Sequence, residues 1–311
     1  MEKAKITILL AAYKGGEYVG AQIDSILAQD CRDWQLILSD DGEDTVPVLE
    51  RYAAAHPDRI RHIRSGQRFG SAQKHFMYLL THFGQETPYV MFSDQDDVWH
   101  PDKVRKTLAV MQAAEEDPSE PVLVHTDLRV VDGSLKEIAP SFLAFSKIDG
   151  KRMAFHELLV QNVVTGCTVM INHALAELAA RAGEVPQMMM HDWWLALIAS
   201  AFGKAAFLPE ATIDYRQHGK NQVGAKNAGS LAYLKSRLNG TYIHAMRDET
   251  AAQAAAFRKV YADLLSPEQE KLCRVMAGLP SHGKLWRMRA LCRYHLWKNT
   301  LPRRAGQLLW W

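Results

Sequence analysis

Over its first 120 residues the chain alternates short apolar runs with longer segments of helical spacing, and that alternation leaves few folds open. Residues 5–12 are nearly all apolar, as a strand buried on both faces should be. Glu17 to Gln29 then carries Val19, Ile23, Ile26 and Leu27 near one helical face. Trp34–Leu38 reads as a second strand ending in Ser39-Asp40-Asp41-Gly42, followed by a helix from Val46 to Ala55. A short strand at Ile60–Ile63, a helix from Ser71 to Phe83 and a strand at Tyr89–Phe92 complete the series. Strand–helix alternation at this pitch predicts right-handed crossovers and a parallel sheet. Ligands of such sheets gather at the carboxyl ends of the strands, here the loops Ala11–Gly16, Ser39–Asp44 and Ser93–Trp99.

The last of these loops is the most acidic. Ser93-Asp94-Gln95-Asp96-Asp97-Val98-Trp99-His100-Pro101 packs three carboxylates between a strand end and Pro101, which stands where a first helical residue would. Hard divalent cations want oxygen ligands, and Asp-x-Asp at a strand end can aim two carboxylates at one ion. Taken alone, such a turn is more commonly a solvated, helix-capping loop. An EF-hand is excluded, because Trp99 and Arg105 occupy the positions that need Gly and Glu. The first loop fits neither a dinucleotide-binding turn nor a P-loop. Gly15-Gly16-Glu17-Tyr18-Val19-Gly20 lacks the glycine spacing of the one, and Ala21-Gln22 follows where the other needs Lys-Ser/Thr.

Beyond Pro121 the pattern changes. Val122–His125 reads as a strand ending at Thr126-Asp127, and residues 132–150 are rich in turns. Val163–Ile171 looks like a strand that includes Gly166, and Asn172–Ala182 like a helix. His191-Asp192-Trp193-Trp194 opens an apolar helix to Phe202, which places the Asp192 carboxylate among free N–H groups at a helix start. Ala205–Leu208 and Thr212–Tyr215 read as two further strands, followed by Arg216-Gln217-His218-Gly219-Lys220-Asn221. From about Ser230 the chain is helical, with a domain boundary expected near 225–230.

Composition narrows the class. The 311 residues are 48% hydrophobic and 23% charged with a net charge of +2, so nothing points to nucleic acid as a partner. Four cysteines without Cys-x-x-Cys spacing fit a reducing compartment. The early strand is no secretory signal, and the longest apolar run is half a membrane span, so a cytoplasmic location is expected. The charge is uneven: no Asp or Glu follows Lys271, whereas Lys284, Arg287, Arg289, Arg293, Lys298, Arg303 and Arg304 do. Leu285, Met288, Cys292 and Leu296 share a helical stripe there, and Trp286, Trp297, Trp310 and Trp311 lie nearby. Residues 281–311 are therefore expected to be either a plain packing helix region or a peripheral contact with the inner face of the cell membrane.

With Asp40-Asp41-Gly42, the Asp94-x-Asp96-Asp97 turn and the His191-Asp192 helix start in hand, residues 5–222 resemble the inverting nucleotide-sugar glycosyltransferases of family 2. The resemblance implies an α/β GT-A fold, Rossmann-like with a mostly parallel sheet flanked by helices, and a helical C-terminal extension. It implies residues 1–225 as the catalytic domain, with 1–120 holding a dTDP- or UDP-sugar and 121–225 the acceptor, and 226–311 as the basic extension. Ala11, Tyr13, Asp40, Asp41, Asp94, Gln95 and Asp96 then stand at donor-binding positions, and Arg68 sits where the family carries Asn. Ser-Asp-Gln-Asp-Asp-Val-Trp and Tyr215–Asn221 are similar to motifs of surface-polysaccharide transferases, many of them rhamnosyltransferases. By that resemblance Asp94 and Asp96 hold Mg²⁺ or Mn²⁺ with His218, Asp97 competing with Asp96 as second ligand. Arg216 and Lys220 reach the diphosphate, and Asp192 is the base that activates an acceptor hydroxyl, His191 being the lesser base. Trp99, His125, Asp127, Gly166, His191 and Trp193 are the acceptor-side candidates, the acceptor being a glycan or lipid-linked glycan. Two other readings compete: a sugar nucleotidyltransferase, and a non-catalytic membrane-binding module on a degenerate nucleotide fold.

Overall fold

A computed structural model of the chain describes residues 5–218 and 240–311; Lys220 and the expected boundary near 225–230 lie outside the described residues. Strand β1 (Ile6–Ala12) lies between β2 (Trp34–Asp40) and β4 (Tyr89–Ser93), with β3 (Ile60–Ile63) beyond β2, all parallel. The cause is visible in β1 itself. Ile6, Ile8 and Leu10 enter the core on one face of the sheet and Leu9 the core on the other, each wholly buried. Burial of each such side chain stabilises the fold by about 1.5–3 kcal/mol. Helices α1 (Val19–Leu27), α2 (Val46–Ala55), α3 (Ala72–Phe83) and α4 (Lys103–Ala114) flank the sheet. Ser71 caps α3 by accepting from Lys74 N.

The second half continues the sheet with mixed pairing: beyond β4 follow β8 (Met170–Asn172), β6 (Val122–Asp132), β9 (Lys204–Gln217) and β5 (Val98–Trp99) in that order. Strand β8 runs antiparallel to both β4 and β6, whereas β9 runs parallel to β6. Three expectations need correction. The two strands expected at 205–208 and 212–215 are one bent strand of 14 residues. Register shifts against Thr126, Asp127 and Arg129 accommodate the bend without breaking the strand. Gly166–Thr168 is a tight turn, and its strand starts only at Met170. The acidic turn leads first into a two-residue strand, β5 (Val98–Trp99), paired with β9, so α4 starts at Lys103 and not at Pro101. The short strand β7 (Glu137–Ala139) and the single-turn helices α5 (Phe142–Phe145) and α6 (Phe155–Leu158) fill the turn-rich stretch after β6.

Helices α7 (His173–Arg181) and α8 (His191–Phe202) cover one face of the sheet. The C-terminal helices α9 (Gly240–Val260), α10 (Pro267–Gly278), α11 (Lys284–Arg293) and α12 (Leu301–Trp310) pack onto them. Phe257, Tyr261, Met276, Leu296 and Trp311 share one apolar core with Trp194 and Leu175. Trp194 donates its indole N–H to Tyr261 Oη at 3.3 Å. Among the described residues no helix is long and apolar enough to cross a membrane.

Gly203, between α8 and β9, marks the closest backbone approach: a Cβ there would stand 2.0 Å from Pro121 O. Backbone cannot yield as a flexible side chain can. Gly203→Ala is expected to cost about 1–3 kcal/mol or more, read as a lower urea midpoint. An unchanged midpoint would contradict that packing.

Candidate active site

The carboxyl ends of β1 and β4 emerge side by side, and above them opens a cavity of about 600 Å³. It is lined by Ala11, Tyr13, Asp41 and Arg68 of the first loops, by Asp94, Gln95 and Asp96 of the acidic turn, and by Gly166, His191 and Asp192 from the second half of the chain. Phe142, Ile148, Val163 and Val164 form an apolar wall beside Asp192.

The first loop is held by the acidic turn. The Gln95 side-chain amide accepts from Tyr13 N at 2.6 Å and donates to Tyr13 O at 2.7 Å. A Cβ on Gly15 would stand 2.3 Å from the Gln95 amide carbon, so Gln95 keeps this position only against glycine. Gln95 therefore borders the cavity but uses its amide to fix Tyr13. In the second loop the two aspartates differ. Asp40 accepts from the backbone N–H groups of Gly42, Glu43 and Thr45, so it caps the entry to α2 and does not line the cavity, contrary to its expected donor contact. Asp41 lines the cavity and accepts from Phe69 N at 2.6 Å and Gly70 N at 2.8 Å, which brings Arg68 to the rim.

The acidic turn splits in two. Asp94 and Asp96 face the cavity, while Asp97 lies wholly buried behind them. Asp96 Oδ2 lies 2.7 Å from His218 Nε2, and the His218 ring stacks on Tyr18 at 4.9 Å. Arg216 was expected at the diphosphate, but its guanidinium is turned to backbone. It donates to Asp96 O at 2.9 Å and Gly133 O at 2.6 Å and sits 4.7 Å over the Tyr18 ring, outside the cavity lining. It shapes the turn from behind.

Burial, and after it the crowding of carboxylates, sets the electrostatics. Asp94 is pushed up to about 7, first by burial and then by the charges of Asp96 and Asp192. Asp97 is raised well above the carboxylate range by burial and by Asp94 and Asp96. Cys167 joins this group, its sulfur and the Asp94 and Asp97 oxygens lying within 4.8 Å of one another, and burial raises its thiol as well. Lys103, wholly buried nearby, is lowered to about 8 by burial.

Asp192 lies in the first turn of α8. Its Oδ1 accepts from Trp193 N at 2.6 Å and Asn162 Nδ2 at 3.2 Å. Burial outweighs these contacts and pushes it up to about 7. His191 is pressed between Phe76 at 4.5 Å, Phe92 at 5.4 Å and the bare face of Gly166, and burial holds its pKa near 3. Neither ring nitrogen has a hydrogen-bond partner among the described residues. A neutral imidazole of that basicity is a hydrogen-bonding group and not a general base at neutral pH.

Four acceptor-side expectations fail for one reason: the side chains point into the core. Trp99 is 2% exposed, with Lys103 Nζ 4.8 Å over its ring. His125 is wholly buried, bonded through Nε2 to Gly150 O at 3.0 Å and stacked on Phe207. Asp127 accepts from Leu128 N and Leu143 N and from the Ser141 hydroxyl, which anchors α5 and so places Phe142 in the cavity wall. Trp193 donates its indole N–H to Leu158 O at 2.6 Å. Tyr18, Asn162 and the apolar wall were missed, and no motif marks any of them.

The sequence and fold have known counterparts. Residues 7–177 match the family model described as "Glycosyl transferase family 2". The chain is 26% identical over 235 residues to the "dTDP-rhamnosyl transferase RfbG" of Shigella flexneri, covering 73% of this chain and 77% of that one. It is 22% identical over 147 residues to the "Amylovoran biosynthesis glycosyltransferase AmsB" of Erwinia amylovora, 45% of this chain and 47% of that one. Among solved structures it shares its fold with S. aureus TarS in complex with UDP, at a TM-score of 0.55 and 14% identity over 88% of this chain and 87% of that one. The mannosyltransferase PcManGT from Pyrobaculum calidifontis, in complex with GDP-Man and Mn²⁺, gives a TM-score of 0.53 and 17% identity over 99% of this chain and 87% of that one. A cavity at the carboxyl ends of a GT-A sheet and a family match across more than half of the sequence agree: this chain belongs to glycosyl transferase family 2.

Proposed function

We propose that this glycosyltransferase moves a sugar, with inversion, from a dTDP- or UDP-linked donor to a hydroxyl of a surface polysaccharide or lipid-linked oligosaccharide. The observation that carries this reading is the meeting of Asp94 and Asp192 in one cavity, from the two halves of the chain, both with carboxyls pushed up to about 7. On this reading residues 1–120 hold the donor and 121–225 serve the acceptor. Rhamnose is favoured by the dTDP-rhamnosyl relative, and the apolar wall of Phe142, Ile148, Val163 and Val164 suits the methyl of a 6-deoxy sugar.

The residues of the acidic turn fit a divalent cation. Asp94, raised by burial and by the charge of Asp96, is short of a positive partner, and Asp94 and Asp96 with His218 offer the oxygen and imidazole donors that suit Mg²⁺ or Mn²⁺. Asp97 and Cys167 fit less well, one buried behind the turn and the other a thiol, which hard cations disfavour. PcManGT in complex with Mn²⁺ supports the same reading. When bound, such a cation neutralises charge on the departing diphosphate.

The chain's own residues do the rest. Asp192 takes the proton of the acceptor hydroxyl as that oxygen bonds to the anomeric carbon and the bond to the diphosphate breaks on the opposite side. Trp193 N and Asn162 keep one Asp192 oxygen in place. His191 packs on Phe76 and Phe92 next to Asp192, with both ring nitrogens buried. Tyr13, Asp41 and Arg68 border the space for the nucleoside.

Because Asp192 must be ionised to act, kcat/KM should rise about tenfold per pH unit below pH ~7 and level off above it. A flat profile from about pH 5.5 to 8.5 would contradict that role. The function itself is tested by incubating the chain with Mn²⁺, dTDP-rhamnose or UDP-sugars, and a lipid-linked glycan. The anomeric configuration of the product is then read by NMR. Inversion with release of the nucleoside diphosphate is expected. Retention would overturn the mechanism, and conversion of the donor with added pyrophosphate to a nucleoside triphosphate and a sugar 1-phosphate, with no transfer to the glycan, would point to nucleotidyl transfer.

A further inference from the structure

The last two helices carry apolar side chains on the wrong side for a packing role. On α11 the buried residues are Ala290 and Leu291, whereas Leu285 is 76% and Met288 37% exposed, with Cys292 exposed on the same stripe. The stripe that periodicity would turn inward therefore faces out; of its four members only Leu296, past the helix end, is buried. Lys284, Arg289 and Arg293 flank it, all exposed and none within ion-pair distance of a carboxylate among the described residues. Helix α12 repeats the arrangement, with Leu301 at 77%, Ala305 exposed and Leu309 at 56% along one face and Gln307 turned inward. The tryptophans are not the outward groups. Trp311 is buried and Trp286 is stacked on His282 at 3.8 Å. From Lys271 onward the sequence holds nine Lys and Arg and no Asp or Glu.

We infer that the outward faces of α11 and α12 dock on an anionic lipid surface. Apolar stripes flanked on their own helices by cations match such a surface in both chemistry and charge. The connection between these helices and the first turn of α12 grip the segment that borders the acceptor side of the cavity. The Arg303 guanidinium donates to Ser146 O and Lys147 O, both at 2.7 Å. Asn299 Oδ1 accepts from Asp149 N at 2.9 Å, and Asn299 N donates to Gln161 Oε1 at 3.0 Å. Ile148 and Asn162 of that segment line the cavity, and Asn162 holds Asp192. Docking would therefore fix the acceptor side of the cavity near the headgroups, where a lipid-linked acceptor presents its glycan. That last step, unlike the docking, rests on the transferase reading.

The test is co-sedimentation of the full chain with phosphatidylglycerol/phosphatidylcholine vesicles and with phosphatidylcholine alone. Binding is expected to the anionic vesicles only and to weaken with salt. Arg289→Glu with Arg293→Glu, and separately Leu285→Glu with Met288→Glu, should each weaken it by roughly tenfold or more, with an unchanged melting temperature. Equal sedimentation of the parent and both variants would overturn the inference. So would a dimer of the parent in sedimentation velocity that either pair abolishes, since the face would then belong to a second copy. Protection by nucleotide sugars is measured on the same samples. Vesicle binding without donor protection would overturn the transferase reading alone, and donor protection without vesicle binding would overturn docking alone.

Discussion

Asp192→Asn is expected to lower transfer by about 10²–10⁴-fold while leaving nucleotide-sugar affinity within a few-fold. The amide keeps the volume of the carboxyl and an oxygen for Trp193 N, but it cannot take a proton from the acceptor hydroxyl. Single-turnover rates with calorimetric donor binding separate the two effects, and equal loss of both would remove Asp192 as the base. The same variant has a second signature. Burial raises the folded-state pKa of Asp192 to about 7, so the folded protein binds a proton that the unfolded chain releases near pH 4. Stability from this group is present at low pH and lost as pH rises through about 7. Asn carries no charge to bury, so the variant should gain on the order of 1 kcal/mol over the parent at about pH 8, a shift of roughly 2–4 °C.

Asp94→Asn is expected to lower transfer by about 10²–10³-fold and to abolish the Mn²⁺-dependent part of donor binding. Asp96→Asn should act in the same direction, since Asp96 faces the cavity with His218 on its Oδ2. Asp97→Asn is the contrast. Its carboxyl is buried behind the turn and raised well above the usual range, so a neutral amide there should leave Mn²⁺ affinity within a few-fold. Mn²⁺ titration by calorimetry compares the three. Loss at Asp97 with retention at Asp96 would reverse the assignment of the second ligand.

The first half of the fold was legible because each of its strands is buried on both faces or ends in a loop of marked composition. Ile6–Ala12 and Trp34–Asp40 announce themselves as apolar runs, and their parallel pairing follows from the intervening helices. The acidic turn was legible as a carboxylate-rich strand end, but the two-residue strand that follows it is set by pairing with β9 and has no local signal. The second half was harder. Its central strand β8 has three residues, and β9 bends through register shifts that periodicity cannot show. His125 and Asp127 were misplaced because β6 does not end at Thr126-Asp127 but runs on to Asp132, so both lie within the strand and are buried. Asp192 was legible from its helix start, whereas Asn162, Gly166 and the apolar wall meet it only through tertiary contact.

The central claim is that the cavity holds a nucleotide sugar through a divalent cation on Asp94 and Asp96, with Asp192 opposite. Thermal unfolding of the full chain against a panel of nucleotide sugars, with Mn²⁺ and with EDTA, tests it most directly. A dTDP- or UDP-sugar at about a hundred times its Kd should add about 2.7 kcal/mol, hence roughly 5 °C or more, in Mn²⁺ and far less in EDTA. If no nucleotide sugar raises the melting temperature in either condition, the account is wrong.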